Sequence, residues 1–500
     1  MNPPGQTRVA AGLPRYRRIV LVGCAIAAFA VLAHVSVAFW ANNELTPPEG
    51  IIATQALSFA QDGRLYFDLK DYPYTVCAYM PIFYGLSGGL YKLGVPAPLG
   101  GRSISILALA GIFWLIWKIL ILYTGETLCA WTGVALAGMT QLLLGWGIVG
   151  QSDMLAVALT LGGFYQYSRY RVLGEETLDR AAVFAVAGLF TKQTVVAAPA
   201  AILILLALES PKRALRFAGI VGGIGGAMVL GLNALMEGRF LANTVFANLN
   251  PFALHKWEQH LGYIWLALSP LLLVVAVGVK KAAGTRMAGV FVYLSIAMLV
   301  LLATAGKIGS DANYQIEFAV LLVVCSCLSL HALDVFPLYF RSSKSLVTLL
   351  LLPLALYGAQ NTRIAIAGLT ARIEREKQFR AQVQELDPYL RGKGPVLSAD
   401  SNALVRSRRR VEVEPLIYRL LVEAGRVDGA QVLRDVREGK FQTVLLYEDL
   451  AAKADPALEI PRLTVEQMDA VRKRYRLTKH LPGPYLSGLY VYEPMPGGAL

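Results

Sequence analysis

The sequence predicts a mainly α protein: a polytopic bundle of membrane-spanning helices followed by a small extracytoplasmic α/β domain. Three observations predict it. Residues of the set AVILMFWYC make up 55% of the 500-residue chain, charged residues only 16%, and mean hydropathy is +0.50. Charge is unevenly placed, since positions 361–500 hold 23 Lys and Arg and 18 Asp and Glu against 24 and 16 in the 360 residues before them. Apolar runs of about 20 residues, the length that crosses a bilayer, recur between basic clusters. Together these exclude a soluble enzyme, a disordered chain and an outer-membrane barrel, whose strands are short and alternate in polarity. The expected division is a multi-span membrane domain over 1–360 and a soluble domain over 361–500.

The first apolar run, 19–40, follows Arg8, Arg15, Arg17 and Arg18. It is too long for a signal peptide and lacks a clear small-residue cleavage site, so it reads as a retained anchor with the N-terminus in the cytoplasm. Residues 41–77 then form the first outer loop. Further runs lie near 79–93, 103–122, 125–149, 151–167, 181–208, 214–236, 262–279, 287–305, 312–333 and 345–360. Basic clusters at Arg169/Arg171/Arg180, Lys212/Arg213/Arg216, Lys280/Lys281/Arg286 and Arg341/Lys344 separate several of them. Placed in the cytoplasm, as Lys and Arg usually are, they turn 150–153, 237–261, 306–313 and everything after 361 outward. Strict alternation then requires 125–149 and 181–208 to be broken or re-entrant, the latter at Thr191-Lys192-Gln193. The localisation expected is the inner (plasma) membrane.

The net charge of +13 and the pI near 9.4 fit the same positive-inside pattern better than a nucleic-acid partner, and none is expected. Cys24, Cys129, Cys325 and Cys327 sit in apolar runs and Cys77 near a loop, so no disulfide framework or zinc spacing follows. Beyond 361, strand-like runs at 396–398, 443–447 and 489–492 alternate with helical patterns at 415–424, 430–438 and 465–475. Gly425, Gly439 and Pro482 punctuate them. This is the pattern of a small sheet packed between helices.

The loop 42–77 is the most informative stretch. It carries Glu44, Glu49, Asp62, Asp68 and Asp71, and Pro47-Pro48-Glu49-Gly50 opens a short helical pattern with Ile52, Ala56, Phe59 and Ala60 on one face and Gly63 at its end. Such a helix lies along the membrane surface. Glu49 at its N-terminus is kept ionised by the helix dipole, and could serve as a general base toward an acceptor hydroxyl. From spacing alone, a simple helix cap is favoured. Tyr72, Tyr74 and Tyr79 belong to a dense aromatic stretch that reads as an interfacial belt or as a wall for a sugar ring or prenyl chain; unaided, the belt is favoured.

Three further patches carry polar groups at the boundary. Asp153 stands directly before an apolar run, as a functional acid or a helix cap. Lys307 precedes Asn313, Tyr314 and Glu317, and with its polar neighbours could hold a phosphate; an interfacial lysine followed by a helix cap is the plainer account. Lys192-Gln193, inside an apolar stretch, needs a partner. His255 and His260 are a weak metal pair, and a solvated loop explains them more simply. No P-loop, Rossmann fingerprint, nucleophile elbow or Asp-x-Asp pair occurs, so nothing points to a soluble nucleotide donor.

Taken in order, Pro48-Glu49-Gly50, Ala56-Leu57, Asp62-Gly63-Arg64-Leu65-Tyr66, Tyr72-Pro73-Tyr74, Tyr79-Met80-Pro81, Gly101-Arg102, Ser152-Asp153-Met154-Leu155, Thr191-Lys192-Gln193-Thr194 and Gly309-Ser310 through Asn313-Tyr314 to Glu317 resemble a known pattern. It is that of polytopic glycosyltransferases of the GT-C fold, in particular bacterial relatives of protein O-mannosyltransferases and lipid A aminoarabinose transferases. The resemblance covers most of the chain. It implies a sugar donor carried on polyprenyl phosphate and transfer on the outer side of the membrane to a glycan, lipid or protein acceptor in the cell envelope. It also implies an essential acid in the first outer loop, here Glu49, and a contributing acid in the second, here Asp153. Many members have an acidic pair where this chain has Pro48-Glu49. Relatives often have Lys where Tyr79 and Met80 precede Pro81, which makes Lys307 the candidate phosphate cation. The expected enzyme is a hexosyl- or pentosyltransferase working by inverting single displacement. No cofactor is called for, with a divalent metal left open. The competing readings are a flippase for lipid-linked glycans and a non-catalytic assembly subunit.

Overall fold

The computed structural model describes residues 13–335, 344–392, 394–407, 409, 411–451, 462–483 and 488–496. Arg8 and Arg341, read above as basic flanks of spans, lie outside these. The chain runs through α1 (Leu13–Trp40), α2 (Pro47–Asp62), α3 (Pro81–Lys92), α4 (Ala97–Thr124), α5 (Thr127–Met139), α6 (Gln141–Trp146), α7 (Ser152–Leu173) and α8 (Leu178–Leu189). It continues through α9 (Ala197–Glu209), α10 (Pro211–Leu235), α11 (Arg239–Thr244), α12 (Leu254–Tyr263), α13 (Ser269–Ala283), α14 (Ala288–Thr304), α15 (Ile316–Ala332) and α16 (Lys344–Leu390). A π-helical turn, Ile264–Leu268, joins α12 to α13.

Five helical stretches among the described residues are long and apolar enough to cross a membrane: Arg17–Trp40, Ala97–Thr124, Pro211–Leu235, Leu254–Ala283 and Ala312–Ala332. Of these, α15 is the central one. Every residue from Phe318 to Leu330 is buried, as expected of a helix that is apolar all round. Leu230 and Leu235 of α10, by contrast, are exposed.

The two long runs that defied alternation are broken. The first divides at Thr140 into α5 and α6, and the second divides between α8 and α9 around Thr191-Lys192-Gln193. The run 79–93 is not a span. Helix α3 has 12 residues, about 18 Å of rise, well short of the hydrocarbon thickness.

Helix α2 forms where the Pro-rich opening and Gly63 predicted it. Proline sits in its first turn, and Gly63 adopts the left-handed conformation (φ 70°) with its N–H on the Phe59 carbonyl at 3.0 Å. Its buried side, Ile52, Ala56 and Ala60, packs toward α3.

Helix α16 is 47 residues long and passes through position 360 without interruption. The chain then forms β1 (Val396–Ser398), α17 (Ser401–Arg406), α18 (Pro415–Glu423), α19 (Ala430–Arg437), β2 (Thr443–Leu446), α20 (Val465–Arg474), β3 (Tyr475–Leu481) and β4 (Leu489–Pro494). The sheet order is β1-β2-β4-β3, with β1 parallel to β2 and the other pairs antiparallel. Strand β3 is unpredicted: Arg476, Leu477, Lys479 and His480 break any alternation, and charged residues on an edge strand discourage pairing with another chain. This α/β unit sits against the segment between α2 and α3, where Tyr74 bridges Val413.

Candidate active site

Glu49 occupies the first turn of α2 and is 1% exposed. Its Oε1 accepts from Arg102 Nε at 2.9 Å and from the Gly150 N–H at 2.7 Å. Its Oε2 accepts from Arg102 Nη2 at 2.8 Å and from the Leu45 N–H at 2.7 Å. Arg102 also donates to the carbonyls of Ala38 (2.7 Å), Ala41 (2.5 Å) and Asn43. Gly150 eases this approach, because a Cβ there would stand 3.1 Å from Oε1, a tight contact. Each carboxylate oxygen of Glu49 thus accepts two hydrogen bonds, which fix its orientation.

Asp153 lies in the first turn of α7, where the dipole favours a carboxylate. Lys192, in the break between α8 and α9, donates to Asp153 Oδ1 in a buried ion pair. The Lys192 ammonium lies 5.2 Å from the ring centroid of Tyr79 and 4.9 Å from that of Tyr314, a cation held between two aromatic faces. Asn313 Nδ2 donates to the same Oδ1 at 3.0 Å. Glu317, one turn further on, accepts from the Tyr293 hydroxyl at 2.5 Å. Asp153, Lys192, Asn313, Tyr314 and Glu317 line one small pocket. Ser152 Oγ, Asp153 Oδ2, Gln193 Oε1 and Asn313 Oδ1 are buried without a hydrogen-bond partner in the protein, which leaves polar capacity around the Asp153–Lys192 pair.

Tyr314 and Thr194 also line a second cavity, of about 540 Å³, between the helical bundle and the α/β unit. This size suits a small ligand. Its wall includes Glu44, Tyr79, Gln193, Asn248, Lys307, Glu414 and Arg462. Lys307 donates to Asn248 Oδ1 at 2.6 Å, and Asn248 in turn donates to the Ala78 carbonyl at 3.2 Å. Gln193 donates to Ala78 O and Thr244 O at 2.8 and 3.1 Å. Burial, with Lys192 nearby, lowers the Lys307 ammonium to about 8. Burial, together with Asp400 and Glu49, holds the Glu44 carboxyl well above the usual range. Burial pushes Glu414 up to about 7.

Tyr72 and Tyr74 do not line either pocket, which corrects the aromatic-wall reading for these two. The Tyr72 hydroxyl donates to Asp435 Oδ2 at 2.7 Å, and the Tyr74 ring lies 4.8 Å from Tyr418 within the core of the α/β unit. They fasten the segment before α3 to that unit. Of the aromatic stretch, Tyr79 reaches the site.

Glu414 and Arg462 carry no sequence signal. They come from the polar C-terminal region, and only folding brings them to the cavity. Glu44 was visible as a loop acid but indistinguishable from its neighbours. Arg102 stood in a recognisable dipeptide, without any sign that it would be fully buried. His260 is bonded to Ser310 Oγ at 3.1 Å and to Gln315 at 2.8 Å. Among the described residues no three His, Cys, Asp or Glu side chains gather as a metal site.

The architecture is shared with solved structures. ArnT from Cupriavidus metallidurans bound to undecaprenyl phosphate superposes with a TM-score of 0.63 at 10% identity, over 95% of this chain and 98% of that one. Its apo state gives 0.64 at 10% identity, over 93% and 96%. The archaeal oligosaccharyltransferase AglB from Archaeoglobus fulgidus, in complex with an inhibitory peptide and a dolichol-phosphate, gives 0.52 at 12% identity, over 96% of this chain and 75% of that one. No protein-family model and no curated protein sequence matches the chain. The chain has the GT-C fold, in an integral, multi-pass membrane protein.

Proposed function

We propose that this chain is a membrane glycosyltransferase that moves a sugar from a polyprenyl-phosphate donor to an acceptor hydroxyl on the outer side of the membrane. The observation that carries the reading is a pair of adjacent pockets, both lined by polar side chains, that share wall residues. Lys307 lines the larger cavity, and Tyr314 and Thr194 stand on the walls of both that cavity and the Asp153–Lys192–Asn313 pocket. The lipid phosphates printed for two structures of the same fold, undecaprenyl phosphate and dolichol-phosphate, support the donor class.

In this reading Lys307 meets the donor phosphate, whose negative charge favours the protonated amine. Asp153, Asn313 and Gln193 offer unpaired oxygens to sugar or acceptor hydroxyls, while Lys192 fixes Asp153. Tyr79 and Tyr314 form the apolar faces against which a ring packs. A polyprenyl phosphate already leaves readily. The site therefore has to align the acceptor with the anomeric carbon, stabilise the departing anion and take up one proton. A single displacement inverts that carbon. Glu49 we read as a positioning residue, holding Arg102 and thereby the start of α2. The cytoplasmic N-terminus, the outward α/β unit and the division near 360 belong to the same proposal, with α16 as the connection.

Mass spectrometry of envelope glycans from cells with and without this chain tests the reading. Loss of one hexosyl or pentosyl substituent, with accumulation of its lipid-linked donor on the outer leaflet, is expected. Accumulation on the inner leaflet instead would identify a flippase. Unchanged glycans would overturn the proposal.

A further inference from the structure

We propose, resting on the transferase reading above, that His260 is a positioning residue of the site. Through its two ring nitrogens it fixes the turn that sets Asn313 and Tyr314 against the Asp153–Lys192 pair. The stretch from Lys307 to Gln315 serves both pockets: Lys307 lines the larger one, Asn313 the smaller one, and Tyr314 both. Its two halves are held by different means. The first is tied to the 250–253 segment, where the Ala253 N–H donates to the Gly306 carbonyl at 2.6 Å and the Ile308 N–H to the Pro251 carbonyl at 2.8 Å. Asn250 Nδ2 adds a bond to the Ile308 carbonyl at 2.9 Å. The second half, which ends in the short 3-10 turn Ala312–Gln315, is met by His260 of α12. Nε2 lies 3.1 Å from Ser310 Oγ, and Nδ1 lies 2.8 Å from Gln315 Nε2.

The partners specify the state of the ring. The Ser310 hydroxyl donates its single proton to the Ala305 carbonyl at 2.5 Å, so toward His260 it accepts. Nε2 therefore carries the ring proton, and Nδ1 accepts from the Gln315 amide. His260, Ser310 and Gln315 are all buried, so losing either bond strands a polar group away from water. One side chain from a neighbouring helix thus clasps positions 310 and 315 together.

Asn313 and Tyr314 stand between those two positions. Asn313 Nδ2 donates to Asp153 Oδ1 at 3.0 Å, and the Tyr314 ring centroid is 4.9 Å from the Lys192 ammonium. With the clasp removed, these two contacts are free to shift, whereas Lys307 remains tied to the 250–253 segment by main-chain bonds. His260 thereby acts on the alignment of the reacting groups and not on the hold on the lipid phosphate. Misalignment of that kind is costly in rate even when binding is kept.

The test uses the full-length protein with His260→Leu, His260→Gln and Ser310→Ala. Leucine offers neither nitrogen, whereas glutamine carries an amide that can donate to Ser310. Transfer is measured in membranes carrying the native lipid-linked donor, retention of undecaprenyl phosphate by native mass spectrometry in detergent, and folding by thermal unfolding. His260→Leu is expected to lower transfer by about 10- to 100-fold, with undecaprenyl phosphate retained as in the unaltered protein. His260→Gln is expected to recover part of the rate, and Ser310→Ala, which removes the Nε2 partner alone, to lower it by a smaller factor. Full transfer by His260→Leu, no recovery in His260→Gln, or a loss of lipid retention matching the loss of transfer would each overturn the inference. Should His260→Leu fail to fold, Ser310→Ala decides: lowered transfer with the lipid retained supports the assignment, and unchanged transfer overturns it. Absence of transfer by the unaltered protein, with glycans unaffected by deleting the chain, would instead remove the transferase reading itself.

Discussion

Arg102 and Glu49 form a buried bidentate ion pair, with Nε donating to Oε1 at 2.9 Å and Nη2 to Oε2 at 2.8 Å. Arg102 also holds the carbonyls of Ala38, Ala41 and Asn43, so one guanidinium ties the end of α1 and the turn after it to α2. Gly150 brings the approach to α7 onto the same carboxylate. The geometry of a buried pair of this kind depends on both partners, because either one alone is an uncompensated charge.

Glu49→Ala is therefore expected to destabilise the protein by about 3–5 kcal/mol. Thermal unfolding of the full-length protein in detergent, followed by monodispersity on gel filtration, checks this. A variant that remains as stable as the parent yet loses transfer would return Glu49 to the role of base.

For Lys192 and Asp153 a double-mutant cycle is decisive. Lys192→Met leaves Asp153 with only the Asn313 side chain on Oδ1, and Asp153→Asn leaves the ammonium between two tyrosine rings. Each single change is expected to lower stability more than the double change does relative to their sum, giving a coupling of about 0.5–3 kcal/mol. Strict additivity would mean that the pair does not act as a unit.

Lys307 makes retention of undecaprenyl phosphate depend on pH. In the free protein its amine loses its proton near 8, so the cation is present below that value and lost above it. Retention should weaken between pH 7 and 9, whereas Lys307→Arg, charged throughout that range, should hold the lipid evenly. Binding measured across the range by native mass spectrometry decides it, and a flat profile for the unaltered protein would exclude Lys307 as the phosphate partner.

Tyr74→Ala should loosen the α/β unit from the bundle. The ring sits in the core with Tyr418, Val413 and Leu397, and truncating a buried aromatic costs about 3–5 kcal/mol. Limited proteolysis should then release a C-terminal fragment faster than from the parent, and transfer should fall because the α/β unit supplies one wall of the cavity. Unchanged cleavage rates would show that other contacts dock the unit.

Much of the architecture was legible in the amino acids. The runs of apolar residues that mark spans, the break at Thr191-Lys192-Gln193, the helix opening at Pro47 and closing at Gly63, and three of the four strands follow from local physics: hydropathy, proline and glycine geometry, and side-chain alternation. Strand β3 was not legible, because its charged edge position removes the alternation. The residues that line the small pocket carried a local signal as well. Asp153, Lys192, Asn313, Tyr314 and Glu317 stood out as polar residues at the ends or breaks of apolar runs, and a polar group that is costly in such a place usually has a partner.

By itself, then, the sequence determined which segments cross or approach the membrane and which intramembrane polar residues must pair, since burial in an apolar surrounding penalises each residue where it stands. Only the tertiary structure decided how the carboxylates divide their work. Glu49 is bound by Arg102 from 53 positions away, whereas Asp153, paired with Lys192 through one oxygen, keeps the other without a partner. Whether a lone pair is spent or free depends on neighbours brought in by folding, and no local pattern of residues encodes that.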